Sequence, residues 1–325
     1  MYIILIGILA ALFFASTFVL NRAMDLAGGS WVWSAALRYL FTLPFLLSIV
    51  ALRRNMRPLL EELKAQPAAW MVWSTVGFGL FYAPICFAAA YGPAWMVAGT
   101  WQITIVAGSL LVPLFYQKVE TGDGVKTTRQ KIPAREMLTS AFILLGVVFI
   151  QHRDTDGLGA MTILAGALPV VIAAFAYPLG NRKMMVVCGG RLDVFQRVLG
   201  MTIASLPFWL LLSVYGIASA GPPGSEQLFQ TLLVAVLSGV IATVLFFYAT
   251  DKAHGDPVKL AVVEATQAGE VVFAVMGEVL FLAGAVPAGW PLAGIIIIVA
   301  GMIFHSLNLR PKGKRSGCAG KAESI

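Results

Sequence analysis

Charged residues are scarce in this sequence of 325 residues: Asp, Glu, Lys and Arg make up 12% of it, and hydrophobic residues make up 59%. Soluble globular domains carry about 25% charged residues. A chain so poor in charge, with a mean hydropathy of +0.83, would expose a large apolar surface to water. The composition therefore excludes an ordinary soluble protein and indicates one whose solvent is lipid.

Cysteines and the common enzyme motifs are also rare or absent. The three cysteines, Cys86, Cys188 and Cys318, are widely spaced and form neither a metal-ligand pattern nor a disulfide framework. The sequence contains no Gly-x-x-x-x-Gly-Lys-Ser/Thr phosphate loop, no His-Glu-x-x-His and no Gly-x-Ser-x-Gly. We therefore predict no enzyme activity, no ATP-driven step by this chain, no cofactor and no metal.

Long apolar segments fill the sequence instead. A membrane-spanning helix needs about 20 mainly apolar residues, and ten segments approach or exceed this length. They are 2–20, 31–52, 70–91, 95–116, 137–151, 160–180, 198–217, 230–250, 258–283 and 290–309. The first lacks a basic start and a small-residue cleavage site, so we interpret it as a membrane helix rather than a signal peptide. The predicted fold class is an all-α membrane protein with ten transmembrane helices.

The distribution of basic residues supports ten crossings. Four alternate loops and the C-terminal tail hold 20 of the 23 Lys and Arg residues. They are 53–69, 117–136, 181–197, 251–259 and 310–325. Because basic residues concentrate in cytoplasmic loops, this alternation predicts a multi-pass protein of the cell (inner) membrane with both termini in the cytoplasm. The net charge of +7 does not indicate a nucleic-acid partner, since the basic residues form no patch with interleaved aromatics.

The chain also repeats itself. Four short matches recur in the same order at offsets near 160 residues. They are Asn21-Arg22 with Asn181-Arg182, Leu43-Pro44-Phe45 with Leu206-Pro207-Phe208, Gln102 with Gln267, and Leu114-Phe115 with Leu280-Phe281. Each half would hold five helices, and an odd number makes the second half enter the membrane from the opposite side. We predict two inverted five-helix repeats, 1–151 and 152–309, followed by a basic, disordered cytoplasmic tail at 310–325.

These features resemble a known family. The two five-helix halves, the end of the first helix at Ala15–Arg22 (ASTFVLNR) and the end of the ninth at Gly277–Phe281 (GEVLF) are similar to the drug/metabolite transporter superfamily. Its EamA-like and ten-helix multidrug-efflux branches resemble the chain most, over about residues 2 to 309. The resemblance implies a central substrate cavity and either export or proton-coupled exchange. The related small multidrug resistance proteins use a glutamate in their first helix, whereas the first helix here has no acid.

Ionisable residues inside a membrane span are rare and unfavourable, by roughly 2.5–3.5 kcal/mol each. Three of them, Glu264, Glu270 and Glu278, lie in the predicted ninth helix. Glu270 is predicted near the bilayer midplane with no basic residue at its depth, and a lone carboxyl in a medium of low dielectric constant favours its protonated form. We predict that it couples proton movement to a cationic substrate; the alternative is a protonated side chain that bonds a neighbouring helix. Glu264 is either a proton-entry residue or a helix-start acid.

Arg38 and Glu278 are predicted to share a depth near the outer face, because the second helix runs inward and the ninth runs outward. An ion pair between them would lower the unfavourable free energy of burying both charges. Two interpretations stay open. The pair is a fixed clamp between two helices, or it is an outer gate or anion contact.

Four further residues are candidates for substrate binding. Gln102 and its repeat partner Gln267 could hydrogen-bond a polar substrate or hold helices together. Trp101 could stack on a planar or cationic molecule. Tyr82, in the middle of the third helix, is either a hydroxyl donor or a packing residue.

The sequence as a whole predicts a secondary active transporter of small molecules, a proton-coupled exporter that works by alternating access. Its partners would be a small-molecule substrate, protons and the lipid bilayer. The alternatives are a facilitator or importer of a neutral or acidic metabolite, in which Glu270 is structural, and a membrane scaffold or sensor without transport. Gly294 and Gly301 would allow a close helix contact, either within the bundle or in a homodimer.

Overall fold

The computed structural model is a bundle of α-helices that describes residues 2–54, 56–121, 124–129, 134–152, 160–253, 263 and 266–308. We number its helices in chain order. They are α1 (Tyr2–Leu26), α2 (Trp31–Leu52), α3 (Met56–Ala65), α4 (Pro67–Ser74), α5 (Leu80–Ala88), α6 (Ala94–Trp101), α7 (Ile103–Leu110), α8 (Ala134–Gln151), α9 (Ala160–Cys188), α10 (Val194–Ala220), α11 (Ser225–Val234), α12 (Thr243–Ala253), α13 (Gly269–Phe281) and α14 (Trp290–Asn308). The predicted tail at 310–325 lies outside the described residues.

Six helical segments within the described part of the chain are long and apolar enough to cross a membrane. They are Tyr2–Leu26, Trp31–Leu52, Pro67–Ala88, Leu164–Cys188, Val194–Ala220 and Ser225–Phe246. Shorter apolar stretches lie in α8 and α14. Large apolar side chains point away from the bundle, such as Leu211 at 72% exposure and Val148 at 62%. An apolar outer surface of this kind fits lipid, so the chain is a helical, multi-pass membrane protein.

The helices α1 and α9 run past the ends predicted at residues 20 and 180, to Leu26 and Cys188. The predicted ends were wrong because the polar residue Asn21 is accommodated inside the protein. It is buried, and its Nδ2 lies 3.2 Å from the hydroxyl of Tyr82. A polar side chain that has a partner on a neighbouring helix does not end a membrane helix.

Irregular turns interrupt four of the predicted spans. They are the π-helical segments Thr75–Gly79 and Ala235–Ala242, a turn at Gln102, and the 3-10 turn Thr266–Ala268. The predicted span 95–116 was wrong as a single helix, since it breaks at Gln102 and ends at Leu110. A 3-10 turn follows that contains Pro113, which has no amide hydrogen to continue an α-helix.

Part of the basic loop 117–136 is regular. Strands β1 (Tyr116–Thr121) and β2 (Gly124–Arg129) form an antiparallel pair in which Tyr116 is opposite Arg129. Both strands are rich in Val and Thr, which favour extended backbone. The all-α prediction therefore holds for the bundle and fails at this hairpin.

Two pairs of glycines bring helices into backbone contact. A Cβ added at Gly180 on α9 would overlap the backbone of Gly77 in the first π segment. A Cβ added at Gly294 on α14 would lie 2.5 Å from the carbonyl oxygen of Gly146 on α8, and one at Gly301 would lie 3.5 Å from Ile143. Gly294 and Gly301 thus allow close contact within the bundle, as small residues do in membrane proteins.

Two apolar clusters fill the interior of the bundle. The first contains Trp95, Trp101 and the α13 residues Val271 and Ala274. The second contains aromatic residues of α2, α4, α5 and α10, which are Tyr39, Trp70, Tyr82 and Trp209. Phe81 packs against both clusters. Two predicted site residues meet Phe81 at this junction, Trp101 from the first cluster and Tyr82 from the second.

Candidate functional site

Glu270 lies in the first turn of α13, immediately after the 3-10 turn. Its side chain is buried, at 4% exposure. Within the part of the chain that the structure describes, its carboxyl has neither a hydrogen bond nor an ion pair. The nearby helix N-terminus, where backbone N–H groups have no intrahelical partner, partly offsets the unfavourable burial of a negative charge.

An aromatic group belongs to the apolar cluster that includes α13. Trp101 lies in the same cluster as the α13 residues Val271 and Ala274. Its ring centroid lies 5.0 Å from that of Phe81 and 5.6 Å from that of Tyr177. Trp101 and the helix that carries Glu270 therefore pack in one cluster, and the structure adds Phe81 and Tyr177 from α5 and α9.

The two glutamines of the repeat occupy matching irregular positions. Gln102 stands at the break between α6 and α7, where its Nε2 donates to the carbonyl of Ala98 at 3.2 Å. Gln267 stands in the 3-10 turn before α13, and its buried Nε2 has no hydrogen-bond partner within the described part of the chain. Gln102 thus bonds within its own helix, whereas the Gln267 amide bonds none of the described residues through Nε2.

Arg38 is buried in the second cluster and touches three elements. Its Nη2 donates to Ser238 Oγ at 3.1 Å, and Thr17 Oγ1 donates to the same oxygen at 2.6 Å. Its guanidinium carbon lies 4.1 Å from the ring centroid of Tyr82 and 5.5 Å from that of Tyr39. A cation over an aromatic face in the interior gains about 2 kcal/mol, which offsets part of the unfavourable burial of this charge.

Tyr82 is fully buried and has a structural partner. Its hydroxyl and the Asn21 amide exchange hydrogen bonds at 3.2 and 3.3 Å, and its ring supports Arg38. The second cluster also holds a stacked pair of rings, Tyr39 and Trp209, with centroids 4.4 Å apart. Asn21 and Tyr39 were not predicted as interior residues. The sequence offered one signal for each: Asn21 directly follows an apolar span, and Tyr39 is adjacent to Arg38.

The predicted ion pair between Arg38 and Glu278 is not formed, and the prediction was wrong in its partners. Arg38 bonds Ser238, whereas Glu278 Oε2 accepts the backbone N–H of Ala94 at 2.6 Å. Ala94 is the first residue of α6, so Glu278 caps that helix and neutralises the positive end of its dipole. Arg38 and Glu278 were paired because they lie at similar depths along α2 and α13. The rotation of each helix about its own axis gives the two side chains different neighbours. Glu264, the third acid of this region, lies outside the described residues.

Ion pairs connect the two halves at one end of the bundle. Arg191 donates from Nε to Glu62 Oε1 and from Nη2 to Glu62 Oε2, the latter at 3.0 Å, and Arg53 lies 3.8 Å from Asp193. We call the end defined by these four residues the basic end. The hydrogen bonds from Arg191 hold the pKa of Glu62 below its ordinary value. Because the pKa of Glu62 is lower in the folded protein, the pair with Arg191 stabilises the fold fully above the unfolded pKa of about 4.3. This stabilisation is lost as the pH falls through the folded pKa.

We expect a double-mutant cycle of Glu62→Ala and Arg191→Ala to give a coupling free energy of about 0.5–1 kcal/mol at pH 7, the upper range for exposed pairs. The measurement is the unfolding free energy of the purified protein in detergent. The exposed pair of Arg57 and Glu61, at 2.9 Å, provides a control cycle within α3. A coupling of zero at pH 7, or one that does not shrink under acid conditions, would contradict the contact between the halves.

A cavity of about 310 Å³ opens at the opposite end of the bundle. It lies between the loop that follows α1 and the loop that follows α10, and we call it the loop pocket. Its lining includes Met24, Ser30, Trp33, Glu226 and Gln227. Gln227 Nε2 donates to the carbonyl of Ser30 at 2.7 Å, so the pocket is bounded by both halves of the chain. Elsewhere in the described chain, no group of three or more His, Cys, Asp or Glu side chains could hold a metal ion.

One family model and two relatives match this chain in sequence. Residues 1–310 match the EmrE family, described as "Putative multidrug resistance efflux transporter". The "Uncharacterized protein YjlA" of Bacillus subtilis (strain 168) is 58% identical over 309 residues, 95% of either chain. An "Uncharacterized 42.1 kDa protein in intracellular alkaline protease 3'region" of Shouchella clausii is 50% identical over 266 residues, 82% of this chain and 69% of that protein.

A solved structure described as "Crystal structure of protein" aligns with a TM-score of 0.60 and covers 97% of this chain and 99% of its own. Its sequence identity is 18%, so the likeness concerns the fold alone. The family match covers nearly the whole chain, and the helical, apolar bundle is the architecture that such a family requires. The chain therefore belongs to the EmrE family of efflux transporters, within the drug/metabolite transporter superfamily that its sequence resembles.

Proposed function

We propose that the chain is a secondary active transporter that exports a small molecule in exchange for protons, with Glu270 as the proton-coupling carboxyl. The observation that carries this proposal is the burial of Glu270, at 4% exposure, without a polar partner among the described residues. Burial favours the protonated carboxyl, and exposure to water favours the carboxylate. A cavity that opens alternately to the two sides would therefore load and release one proton at this residue.

The repeat supports alternating access. The π segments begin at Thr75 and Ala235, 160 residues apart, which is the offset between Asn21 and Asn181. The helix break at Gln102 and the 3-10 turn at Gln267 are also matched, 165 residues apart. Discontinuous helices at equivalent positions of two halves are typical of transporters that bind substrate between inverted repeats. We infer ten membrane crossings as two inverted five-helix halves, 1–151 and 152–309.

One end of the bundle is held closed and the other is partly open, as expected for one state of an alternating-access cycle. The ion pairs of the basic end hold the halves together, and the loop pocket separates them at the other end. Because basic residues stay in the cytoplasm, we place the basic end and both termini inside the cell (inner) membrane. In this arrangement the cytoplasmic side is closed and the outer side is partly open.

Reconstitution into liposomes tests the proposal. Compounds that raise the thermal stability of the purified protein are identified first, since a specific ligand stabilises the folded state. Liposomes that contain a pH-sensitive dye should then show proton movement against the flux of such a compound, and an imposed pH gradient should accelerate that flux. Flux with no proton movement, at a rate independent of pH, would contradict proton coupling.

A facilitator of a neutral or acidic metabolite is the second candidate. One observation favours it, which is that none of the ion pairs among the described residues includes the buried cation Arg38. An acidic metabolite could supply the missing negative charge. The same liposome experiment separates the two candidates, because a facilitator equilibrates its substrate without moving protons.

A further inference from the structure

The guanidinium of Arg38 is nine-tenths buried and only partly satisfied. One of its nitrogens, Nη2, is bonded to Ser238, whereas Nη1 is buried and has no hydrogen-bond partner among the described residues. The aromatic faces of Tyr82 and Tyr39 lower the unfavourable free energy of the charge, but they accept no strong hydrogen bond. Buried charges in proteins are usually paired. Arg38 therefore offers one unused donor and one unneutralised positive charge.

The loop pocket lies in line with Arg38 along three elements. On α2, Ser34 lies one turn before Arg38 and on the same face; on α1, Met24 lies two turns after Thr17. Seven residues of helix span ~10 Å, so the pocket floor at Met24 is about that far along α1 from the Thr17–Ser238 contact. The pocket and Arg38 are thus the two ends of one region between α1, α2 and α11.

Met24 separates the pocket from the charge below it. Its sulfur accepts weak hydrogen bonds from Ser34 Oγ at 3.5 Å and from Thr231 Oγ1 at 3.3 Å. A thioether is flexible and makes few strong contacts, so it can change rotamer without breaking a strong bond. The two hydroxyls keep other partners when it does so, because Thr231 Oγ1 also donates to the carbonyl of Gln227 at 2.7 Å and Ser34 Oγ also accepts from Gln227 Nε2 at 3.0 Å.

Three acidic groups of the described residues near this region leave the charge of Arg38 uncompensated. Glu226 lines the mouth of the pocket but is exposed, and its Oε1 accepts from Gln230 Nε2 at 3.1 Å. Glu278 is held by the backbone of Ala94, and Asp25 is paired with Arg22 at 2.9 Å. An exposed or paired carboxylate is screened by water or by its partner. None of the three supplies a counter-ion for Arg38.

We propose that Arg38 is the recognition group for a carboxylate on the molecule that this transporter carries, and that the loop pocket is the mouth through which that carboxylate reaches it. The site would accept small organic acids or zwitterions. Thr17 and Ser238 position the guanidinium, and Nη1 donates to the ligand. The transport part of this inference rests on the function proposed above, whereas the binding part requires only the geometry around Arg38.

Three compounds that share a phenyl ring and a two-carbon linker test the binding part. They are 3-phenylpropionate, phenylalanine and phenethylamine, which carry a carboxylate, both charges and an ammonium group. Binding to the purified protein in detergent is measured by thermal shift and by tryptophan fluorescence, without any gradient. Both carboxylate-bearing compounds should bind the wild type more tightly than phenethylamine does.

Two variants remove the proposed contact in different ways. In Arg38→Gln, the affinity for both carboxylates should fall about 30-fold, the loss expected when one partner of a buried charged contact is removed. Ser238→Asp is the second variant, because it places a carboxylate against Nη2 and neutralises Arg38 from within. It should raise the Tm of the ligand-free protein and abolish the shift caused by carboxylates. Arg57→Gln is the matched control, since it removes an exposed charge on α3 and should bind like the wild type.

The binding experiments can succeed or fail independently of the proposed proton-coupled transport. Carboxylate binding that is lost in both variants supports the inference even if reconstituted protein moves no protons, in which case only the function proposed above fails. The inference is overturned if the wild type binds neither carboxylate. It is also overturned if the Arg38→Gln and Ser238→Asp proteins bind both carboxylates as tightly as the wild type does. Anionic lipid is a second source of negative oxygens. If phosphatidylglycerol nanodiscs protect the site and compete with 3-phenylpropionate, the occupant is a lipid headgroup and the carboxylate assignment is overturned.

Discussion

Glu270→Gln should reduce proton-driven transport in liposomes to the level of empty vesicles while the protein remains folded. Glutamine has nearly the same volume and keeps the carbonyl oxygen, but it cannot take up and release a proton. Because the carboxyl has no hydrogen bond or ion pair within the described residues, its replacement breaks no contact. We expect a nearly unchanged Tm, since the amide, like a protonated carboxyl, carries no charge and has nearly the same volume.

Two further variants sharpen this test. Glu270→Asp keeps the titrating group on a shorter side chain and should retain part of the coupled flux. Glu61→Gln removes a carboxyl at an exposed position on α3 and should transport like the wild type. If Glu270→Gln still moves protons with its substrate, the carboxyl is structural and another group couples the protons.

Gly180→Val should be the most destabilising single substitution in the bundle, by about 3 kcal/mol. Any Cβ at this position overlaps the backbone of Gly77, and the carbonyl oxygen of Trp73 lies 2.8 Å away. These are backbone atoms on another helix, so they cannot yield by a change of rotamer. The two helices would have to separate and lose the close packing on which membrane helices depend. The measurement is the unfolding free energy in a mixed detergent titration.

Gly224→Ala is the control for this substitution. Gly224 precedes α11 with a φ of −69°, and a Cβ there meets nothing within 4 Å. Its unfolding free energy should change by less than about 0.5 kcal/mol, as for most surface positions. Equal stability of the Gly180→Val protein and the wild type would mean that α9 and the first π segment do not meet as the structure describes.

The sequence was sufficient to predict where helices lie, because hydropathy reports directly on burial in lipid. The residues 31–52 were predicted as a helix, and α2 is Trp31–Leu52. The interruptions were not predictable. A π segment such as Thr75–Gly79 has the composition of any apolar helix, and its geometry depends on packing against Gly180 and its neighbours. Pro113 indicated that the fourth helix ends before residue 116, but the predicted span 95–116 did not take it into account.

The candidate site was predictable in its residues and less so in its contacts. Glu270 and Trp101 stood out because acids and central tryptophans are rare in apolar spans, and the structure places both in the interior. The partner of Arg38 was predicted from depth alone. Depth follows from the rise per residue, but contact also depends on the rotation of each helix, which a single sequence does not specify. Ser238 was therefore missed, although it bonds both Arg38 and Thr17.

The π segment Ala235–Ala242 has a consequence for how this chain tolerates insertions and deletions. A π turn contains about one residue more than an α turn, so loss of one residue there would restore α geometry and leave the helix beyond it close to its present rotation. The lipid-facing side and the packed side of α12 would keep their places. The same loss inside a regular helix such as α10 would turn everything beyond it by ~100° and exchange its two faces. A frame-preserving deletion of one codon should thus be less harmful inside this segment than inside α10.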